Sequence, residues 1–259
     1  MRSCNFSEIL HSSLQFCGLD RNLTTADRFA MIRDFASRRL QKIWESNDWP
    51  DLKRYTKCST SVSNDRRSIT TPADVGQVIA VWSKDPLSSS HAIQKDFEGV
   101  DDGFYLANDN DSEVWVEHRP DAPVLFGDPW KPAVSYHSGS QVYYDEGPGL
   151  AGIIDGASAM VPVNGYPSKG NFWNYSGNTA STAGVPPDID PNWTKVSIPR
   201  LFSDYVSQGA FSDYSRAQGN LDVNTLGFIE NRAEEAKDHA LDQVLRQQGM
   251  TRKINFRSY

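Results

Sequence analysis

A serine in a glycine-flanked segment comes nearest to hydrolytic chemistry. Residues 156–160 read Gly-Ala-Ser-Ala-Met. A nucleophile elbow has the form Gly-x-Ser-x-Gly, in which a tight strand-to-helix turn exposes the serine hydroxyl for acyl transfer. Met160 stands where the second glycine is needed, and no strand–helix pattern surrounds the segment. The sequence therefore predicts a loop here and not a catalytic serine.

Metal chemistry would need histidines or carboxylates at ligand spacing. No two histidines lie four residues apart on a helix, so an HExxH zinc site is excluded, and we interpret each as a surface or hydrogen-bonded residue. Asp109, Asp111 and Glu113 alternate like the first ligands of an EF-hand, but its turn glycine and distal glutamate are missing. We prefer a solvated hairpin turn to a calcium site. The sequence predicts no catalytic residue, metal or cofactor, and no enzyme, although a hydrolase site assembled from distant residues stays open.

Aromatic side chains cluster between residues 143 and 193. Exposed rings flanked by Asn and Asp can stack on sugars, which makes Tyr143, Tyr166, Trp173 and Trp193 a candidate binding surface. The alternative, which we prefer, is that these rings pack the glycine-rich loops or fill an interface.

Helical segments at opposite ends of the chain frame these residues. Apolar residues at steps of three and four predict helices over residues 6–18 and 24–47, the second of which begins at Thr24 and ends before Pro50. Two further helices follow Pro199, break at Gly219 and end at about Gln248. Neither end can bury its apolar stripe alone, so we expect both ends to pack together in one helical bundle.

The middle of the chain has a β-like pattern. Short runs of β-branched and aromatic residues predict strands at 78–82, 104–106, 114–116, 124–126 and 141–144. We expect a β-sandwich or small barrel with long loops. The predicted fold is thus α+β, a helical bundle with a large inserted β-rich region. Its domains are the N-terminal helices (1–56), the β-rich insertion (57–198), the C-terminal helices (199–250) and a C-terminal arm (251–259).

The last helix and the arm carry the candidate interface residues. Ala233, Ala236 and Ala240 lie on the apolar face of the helix, so another backbone can approach closely there. The arm mixes cations with apolar residues, and a segment this short cannot build its own core. We expect its residues to dock on a partner, the main ones being Arg252, Phe256 and Tyr259.

Charge and composition limit the partners. The formal net charge is −7, which makes the chain a poor generic binder of nucleic-acid backbones. The cysteines Cys4, Cys17 and Cys58 form no CxxC pair, so we expect reduced thiols. The N-terminus lacks a signal-peptide pattern, and no apolar run approaches the ~20 residues of a membrane span. We expect a soluble protein made in the cytoplasm.

Both ends of the chain also carry a recognisable pattern. It comprises residues 6–10, 23–27, 40–45 and 49–52 at the start, and residues 193–199, 202–206, 210–214 and 234–236 at the end. These segments, about half of the chain, resemble the neck proteins of tailed bacteriophages, the head-to-tail adaptors. Residues 141–193 are similar to a small strand-and-tryptophan module inserted in some of these proteins, which itself looks like chitin-binding modules.

The resemblance implies a structural virion protein that forms a ring under the portal, with β elements projecting toward the tail. The implied partners are further copies of the chain in a dodecameric ring, the portal protein, and tail or nozzle proteins. DNA would pass the acidic channel without specific binding, and the protein would reside in the virion neck after assembly in the host cytoplasm. The alternative function is a carbohydrate-binding tail or baseplate protein that uses the aromatic residues between 143 and 193.

Overall fold

The computed structural model describes residues 2–18, 25–63, 66–70, 75–100, 103–106, 111–145, 170–219 and 221–247. Over these residues the fold is α+β, with four α-helices and mostly antiparallel strands. In chain order the elements are β1 (Ser3–Cys4), α1 (Phe6–Phe16), α2 (Ala26–Ser46), β2 (Arg54–Ser59), β3 (Ser61–Ser63), β4 (Arg66–Thr70), β5 (Gln77–Trp82), β6 (Gln94–Lys95), β7 (Phe97–Val100), β8 (Gly103–Leu106), β9 (Glu113–Arg119), β10 (Asp128–Pro129), β11 (Gln141–Tyr144), β12 (Asn171–Tyr175), β13 (Trp193–Lys195), β14 (Ile198–Pro199), α3 (Ser203–Gln218) and α4 (Val223–Gln247).

The chain divides into two compact units. Unit 1 comprises Met1–Asn47 and Pro123–Tyr259, and unit 2 comprises Asp48–Ala122. Residues 123–198, which the sequence predicted as part of one inserted region with residues 57–122, lie in the same unit as the helices. These residues group with the helices because the four-stranded sheet within residues 128–195 packs on α1 and α2 through aromatic side chains.

Local capping fixes the helix ends. The Asn5 amide donates to the Glu8 carboxylate at 3.2 Å, which closes a capping box at the start of α1. Thr25 is the N-cap of α2, and its hydroxyl accepts a hydrogen bond from the Arg28 amide at 3.3 Å. Gly219 follows α3 with φ of +66°, a conformation that glycine adopts without steric cost. The predicted interruption between two helices at this glycine is confirmed.

Helix α3 is the central helix of unit 1. It packs against α1, α2 and α4. Its Tyr205, Val206 and Ala210 are fully buried. The Ser13 hydroxyl of α1 donates to the Ser207 carbonyl at 3.1 Å, a direct link between the two ends of the chain.

The four-stranded sheet of unit 1 has the order β10-β11-β12-β13, in which β10 pairs parallel to β11 and the other pairs are antiparallel. Tyr143 and Phe172 are register partners on β11 and β12, so their side chains share one face. That face meets Phe6 of α1 and Phe29 of α2, and the four rings pack with centroids 4.8–6.4 Å apart. This aromatic cluster joins the sheet to the first two helices.

Unit 2 contains two four-stranded sheets, β2-β9-β5-β6 and β3-β4-β8-β7. Only Thr60 separates β2 from β3, and only Asp96 separates β6 from β7. The edge strands of the first sheet therefore continue along the chain into the edge strands of the second, and side chains of both sheets share one core. This core is formed by Cys58, Ile69, Val81, Phe104, Leu106, Val114 and Val116.

Four of the five predicted strands are confirmed, because β5, β8, β9 and β11 include residues 78–82, 104–106, 114–116 and 141–144. The prediction for residues 124–126 is wrong. The Leu125 amide donates to the Ser37 hydroxyl at 2.9 Å, and the Phe126 amide donates to the Gln141 side-chain oxygen at 2.7 Å. Side chains thus take the place of a neighbouring strand.

Candidate functional site

Helix α4 packs on α3 through small side chains. Ala233 and Ala240 are 0% and 3% exposed, and Ala236 is half-buried. The close approach expected from these alanines therefore occurs inside the subunit. Ala233 and Ala240, which the sequence predicted at a subunit or portal interface, have almost no accessible surface in the single subunit.

Arg39 of α2 ties three helices together. Its Nε and Nη2 each donate to a carboxylate oxygen of Asp213 on α3, both at 2.7 Å. Its Nη1 and Nη2 donate to the two carboxylate oxygens of Glu230 on α4, at 2.7 and 2.9 Å. The Arg39 side chain is only 7% exposed. Bidentate, charge-assisted hydrogen bonds of this kind are among the strongest in proteins.

The same contacts set the charges of this cluster. Burial opposes the charged form of Arg39, but the hydrogen bonds to Asp213 and then to Glu230 outweigh it and raise the Arg39 pKa. The hydrogen bond from Arg39 holds the pKa of Glu230 below its ordinary value near 4.5. Arg39 and Glu230 therefore form a stable opposite-charge pair at neutral pH.

The Arg39 side chain crosses α3 over Gly209. A Cβ placed on Gly209 would lie 2.7 Å from Cδ and 2.9 Å from Nε of Arg39. Any larger residue at this position would have to displace the arginine. Gly209 thus leaves the space through which α2 reaches α4.

The role of Arg39 was not predicted from the sequence. The position of Arg39 relative to the apolar residues of α2 indicates that its side chain is buried. Arg39 lies three residues after Ala36 and four before Ile43, and both of these are fully buried. A charged residue within an apolar helical stripe needs a buried partner.

Apolar side chains of α4 are exposed, and the outer side of this helix, opposite α3, carries Phe228. Val223 is 84% exposed and Phe228 is 60% exposed. The Arg232 guanidinium lies 5.2 Å from the centroid of the Phe228 ring. Phe228 precedes Ala233 by five residues, which places it roughly 140° away around the helix. An accessible aromatic ring therefore points away from α3.

The aromatic residues proposed to bind sugars are mostly core. Tyr143 and Trp193 are 4% and 5% exposed. Tyr143 belongs to the aromatic cluster described above, and Trp193 packs against Tyr175 with ring centroids 4.9 Å apart. The binding surface is therefore wrong for these two residues, and they pack as in the preferred interpretation.

Trp173 is only partly buried. It is half-buried, and the Lys195 ammonium lies 5.7 Å from its ring centroid. Trp173, Val142 and Lys195 are register partners on adjacent strands and share one face of the sheet. That face also carries the half-buried Trp130 and Tyr144, whose rings meet edge to face.

Several predicted positions lie outside the described residues. These are the segment 156–160, Asp109, Tyr166, Arg252, Phe256 and Tyr259. Asp111 and Glu113 are described, and each forms an ion pair, with Lys95 at 2.6 Å and with Lys57 at 2.7 Å. In the described part of the chain, no three His, Cys, Asp or Glu side chains are grouped so as to hold a metal ion.

The three cysteines are free thiols, as expected. Burial raises the pKa of Cys4 to about 12 and that of Cys17 to about 11. Because the thiolate is the reactive form, both residues react slowly at neutral pH.

No protein-family model and no curated protein matches this chain. Across the described helices, none is both long enough and apolar enough to cross a membrane. We therefore infer the binding partners of α4 and of the sheet from the geometry and charge of their surfaces.

Proposed function

We propose that this protein is a structural subunit of the ring that joins portal and tail in a tailed bacteriophage. In this proposal α1–α4 form a helical bundle, and the β-rich residues between α2 and α3 are its insertion. Copies of the subunit surround the channel through which the genome leaves the head. The proposal rests on the resemblance of both chain ends to head-to-tail adaptors, and it makes the protein a non-enzymatic component of the virion neck.

The observation that carries the proposal is the packing of both chain ends around α3. Helix α3 contacts α1 and α2 from the start of the chain and α4 from its end. The Arg39 contacts and the bond between Ser13 and Ser207 reinforce this association. A ring of identical subunits needs two different surfaces on each subunit, held in a fixed relation. A helical unit built from both ends supplies such a frame.

The outer side of α4 is the proposed contact with a neighbouring subunit. Phe228 is exposed there, on a helix whose inner side is already occupied by α3. Exposed aromatic residues are enriched at protein interfaces, where a large apolar ring loses its water on association. This surface replaces Ala233 and Ala240 as the subunit interface.

The charge of the chain supports passage of DNA without binding. The formal net charge is −7. Affinity for DNA comes largely from cations that displace the counterions around its phosphates. An acidic channel repels the phosphates instead, so the duplex gains little by resting on the wall.

The proposal is tested by the mass of the assembled protein. Analytical ultracentrifugation and negative-stain microscopy of the full chain, alone and mixed with portal, should show closed rings. Phe228→Asp should weaken assembly, because it places a charge in the proposed contact. Phe16→Asp is the matched control, since Phe16 is an aromatic residue of α1 that is 47% exposed.

The outcomes separate the parts of the proposal. A wild-type protein that stays monomeric at every concentration, with and without portal, would refute the ring. Rings that form equally well with Phe228→Asp would retain the ring function and remove the outer side of α4 from the interface.

A carbohydrate-binding tail or baseplate protein is the second candidate. The observation in its favour is the sheet face with the half-buried Trp130, Tyr144 and Trp173 beside Lys195. In this case the protein should be retained on host polysaccharide, and Trp173→Ala should abolish retention. A wild-type protein that flows through such a column unretarded excludes this candidate.

A further inference from the structure

Helix α4 is held to the rest of unit 1 by little apolar surface. Its buried hydrophobic residues, among those described, are Ala233, Ala240 and Val244. By contrast, α2 buries Phe29 and Trp44, besides several aliphatic side chains. Because hydrophobic stabilisation scales with buried apolar area, α4 is the less firmly packed of the two helices.

The first turns of α4 add little to this attachment. Val223 is 84% exposed and Phe228 is 60% exposed. The cap at the start of the helix is internal to its own segment, since the Asp222 carboxylate accepts the amides of Asn224 and Thr225 at 2.9 and 3.0 Å. Helix α4 can therefore keep its N-terminal cap when its contact with α3 is broken.

Ion pairs also attach α4 to α2. Glu230 accepts two hydrogen bonds from the buried Arg39, and Glu234 lies 3.5 Å from the Lys42 ammonium. The Lys42 side chain is 57% exposed, so solvent weakens that pair. The pair between Arg39 and Glu230 is thus the main polar link from α2 to α4.

Loss of Glu230 would still leave Arg39 with a partner. Both oxygens of Asp213 remain bonded to the guanidinium, so α2 and α3 stay joined. Those two helices are also held by fully buried side chains, including Ile32 and Leu40 of α2 and Tyr205 of α3. Asp213 therefore joins Arg39 to α3, and Glu230 joins Arg39 to α4.

We infer that α4 is a detachable arm: when the ion pair between Arg39 and Glu230 breaks, α4 leaves α3 as one unit, and α1, α2 and α3 remain packed. Detachment uncovers the alanine side of α4 and the part of α3 beneath it. Both surfaces then become available to another helix. The inference concerns the isolated subunit and does not depend on the proposed ring.

Hydrogen exchange of the full chain, read by mass spectrometry, tests the arm. Glu230→Gln removes the charge and retains the shape of the side chain. Peptides from residues 231–247 should exchange about 10–100-fold faster than in the wild type, because a charge-assisted contact is lost. Peptides from α1 and α2 should be unchanged. The control is Glu235→Gln on the exposed side of α4, which should exchange like the wild type.

Two results would overturn the inference. One is unchanged exchange of α4 in Glu230→Gln, and the other is equal acceleration of α1, α2 and α4. If Glu230→Gln does not fold, the wild type at low urea gives the answer: α4 amides must open at a lower urea concentration than α2 amides. Simultaneous opening of both helices would show that α4 belongs to the same cooperative unit as the core.

Discussion

Replacing Phe6 by alanine should remove the centre of the aromatic cluster in unit 1. Phe6 is fully buried, and its ring meets Phe172, Tyr143 and Phe29 at centroid distances of 4.8, 6.0 and 6.1 Å. Truncating a core phenylalanine to alanine costs about 3–5 kcal/mol. Edge-to-face contacts add about 0.5–1.5 kcal/mol each beyond area burial. We expect a loss at the upper end of the first range, about 4–5 kcal/mol.

The loss should appear as a large drop in melting temperature. For a unit of about 150–250 residues, each kcal/mol lowers Tm by about 2–4 °C, which gives a decrease of about 8–20 °C. Far-ultraviolet circular dichroism is a suitable probe, because the described α-helices all belong to unit 1.

Phe16→Ala on the same helix is the matched control. Phe16 is 47% exposed, and losing a half-buried phenylalanine costs about 1 kcal/mol. A Phe6 variant that melts within a few degrees of the Phe16 variant would refute the reasoning. The aromatic cluster would then contribute no more than an ordinary surface contact.

Three further predictions follow from single contacts. The folded-state pKa of Glu230 is lowered by its hydrogen bond from Arg39, so this pair stabilises the protein above the unfolded-state pKa, and the stabilisation is lost as the pH falls through the folded-state value. In urea unfolding, the stability gap between the wild type and Glu230→Gln should therefore be wide at about pH 6 and should narrow as the pH falls below the ordinary value of 4.5. Gly209→Ala should displace the Arg39 side chain and lower the free energy of unfolding by about 1–3 kcal/mol. Gly227→Ala on α4, where a Cβ would meet open space, should raise the free energy of unfolding by up to about 1 kcal/mol. Equal effects of the two variants in chemical unfolding would contradict the proposed path of the arginine. Cys4, with its pKa raised by burial to about 12, should react with a disulfide reagent only after denaturation, and rapid reaction of the native protein would show that the thiol is accessible.

The helices could be predicted from the sequence because their signals are local. The apolar spacing in residues 24–47 predicted α2, which spans Ala26–Ser46 with Thr25 as its cap. The break at Gly219 separates α3 from α4 where predicted, because glycine readily adopts the left-handed conformation found there. Each of these features depends on residues only a few positions apart.

The core contacts of unit 1 could not be predicted in the same way. Tyr143 packs against Phe6 and Phe29, and no local period in the sequence connects these rings. The extended residues 124–126 resemble a strand in composition, yet their amides are bonded by the side chains of Ser37 and Gln141. Such pairings become visible only when the chain is folded. The contact between Arg39 and Glu230 could not be predicted from the sequence either, because 191 positions separate the two residues.

The β-rich unit 2 begins and ends near two neighbouring strands. Arg54, at the start of β2, is the register partner of His118, near the end of β9. Lys53, just before β2, reaches Glu117 of β9 at 2.9 Å. A module whose ends lie side by side can be inserted into a host chain, or deleted from it, in a single genetic step, because a short linker closes the gap. Residues 48–122 thus have the form of an exchangeable cassette, which evolution or an engineer can replace without rebuilding the helices encoded on either side.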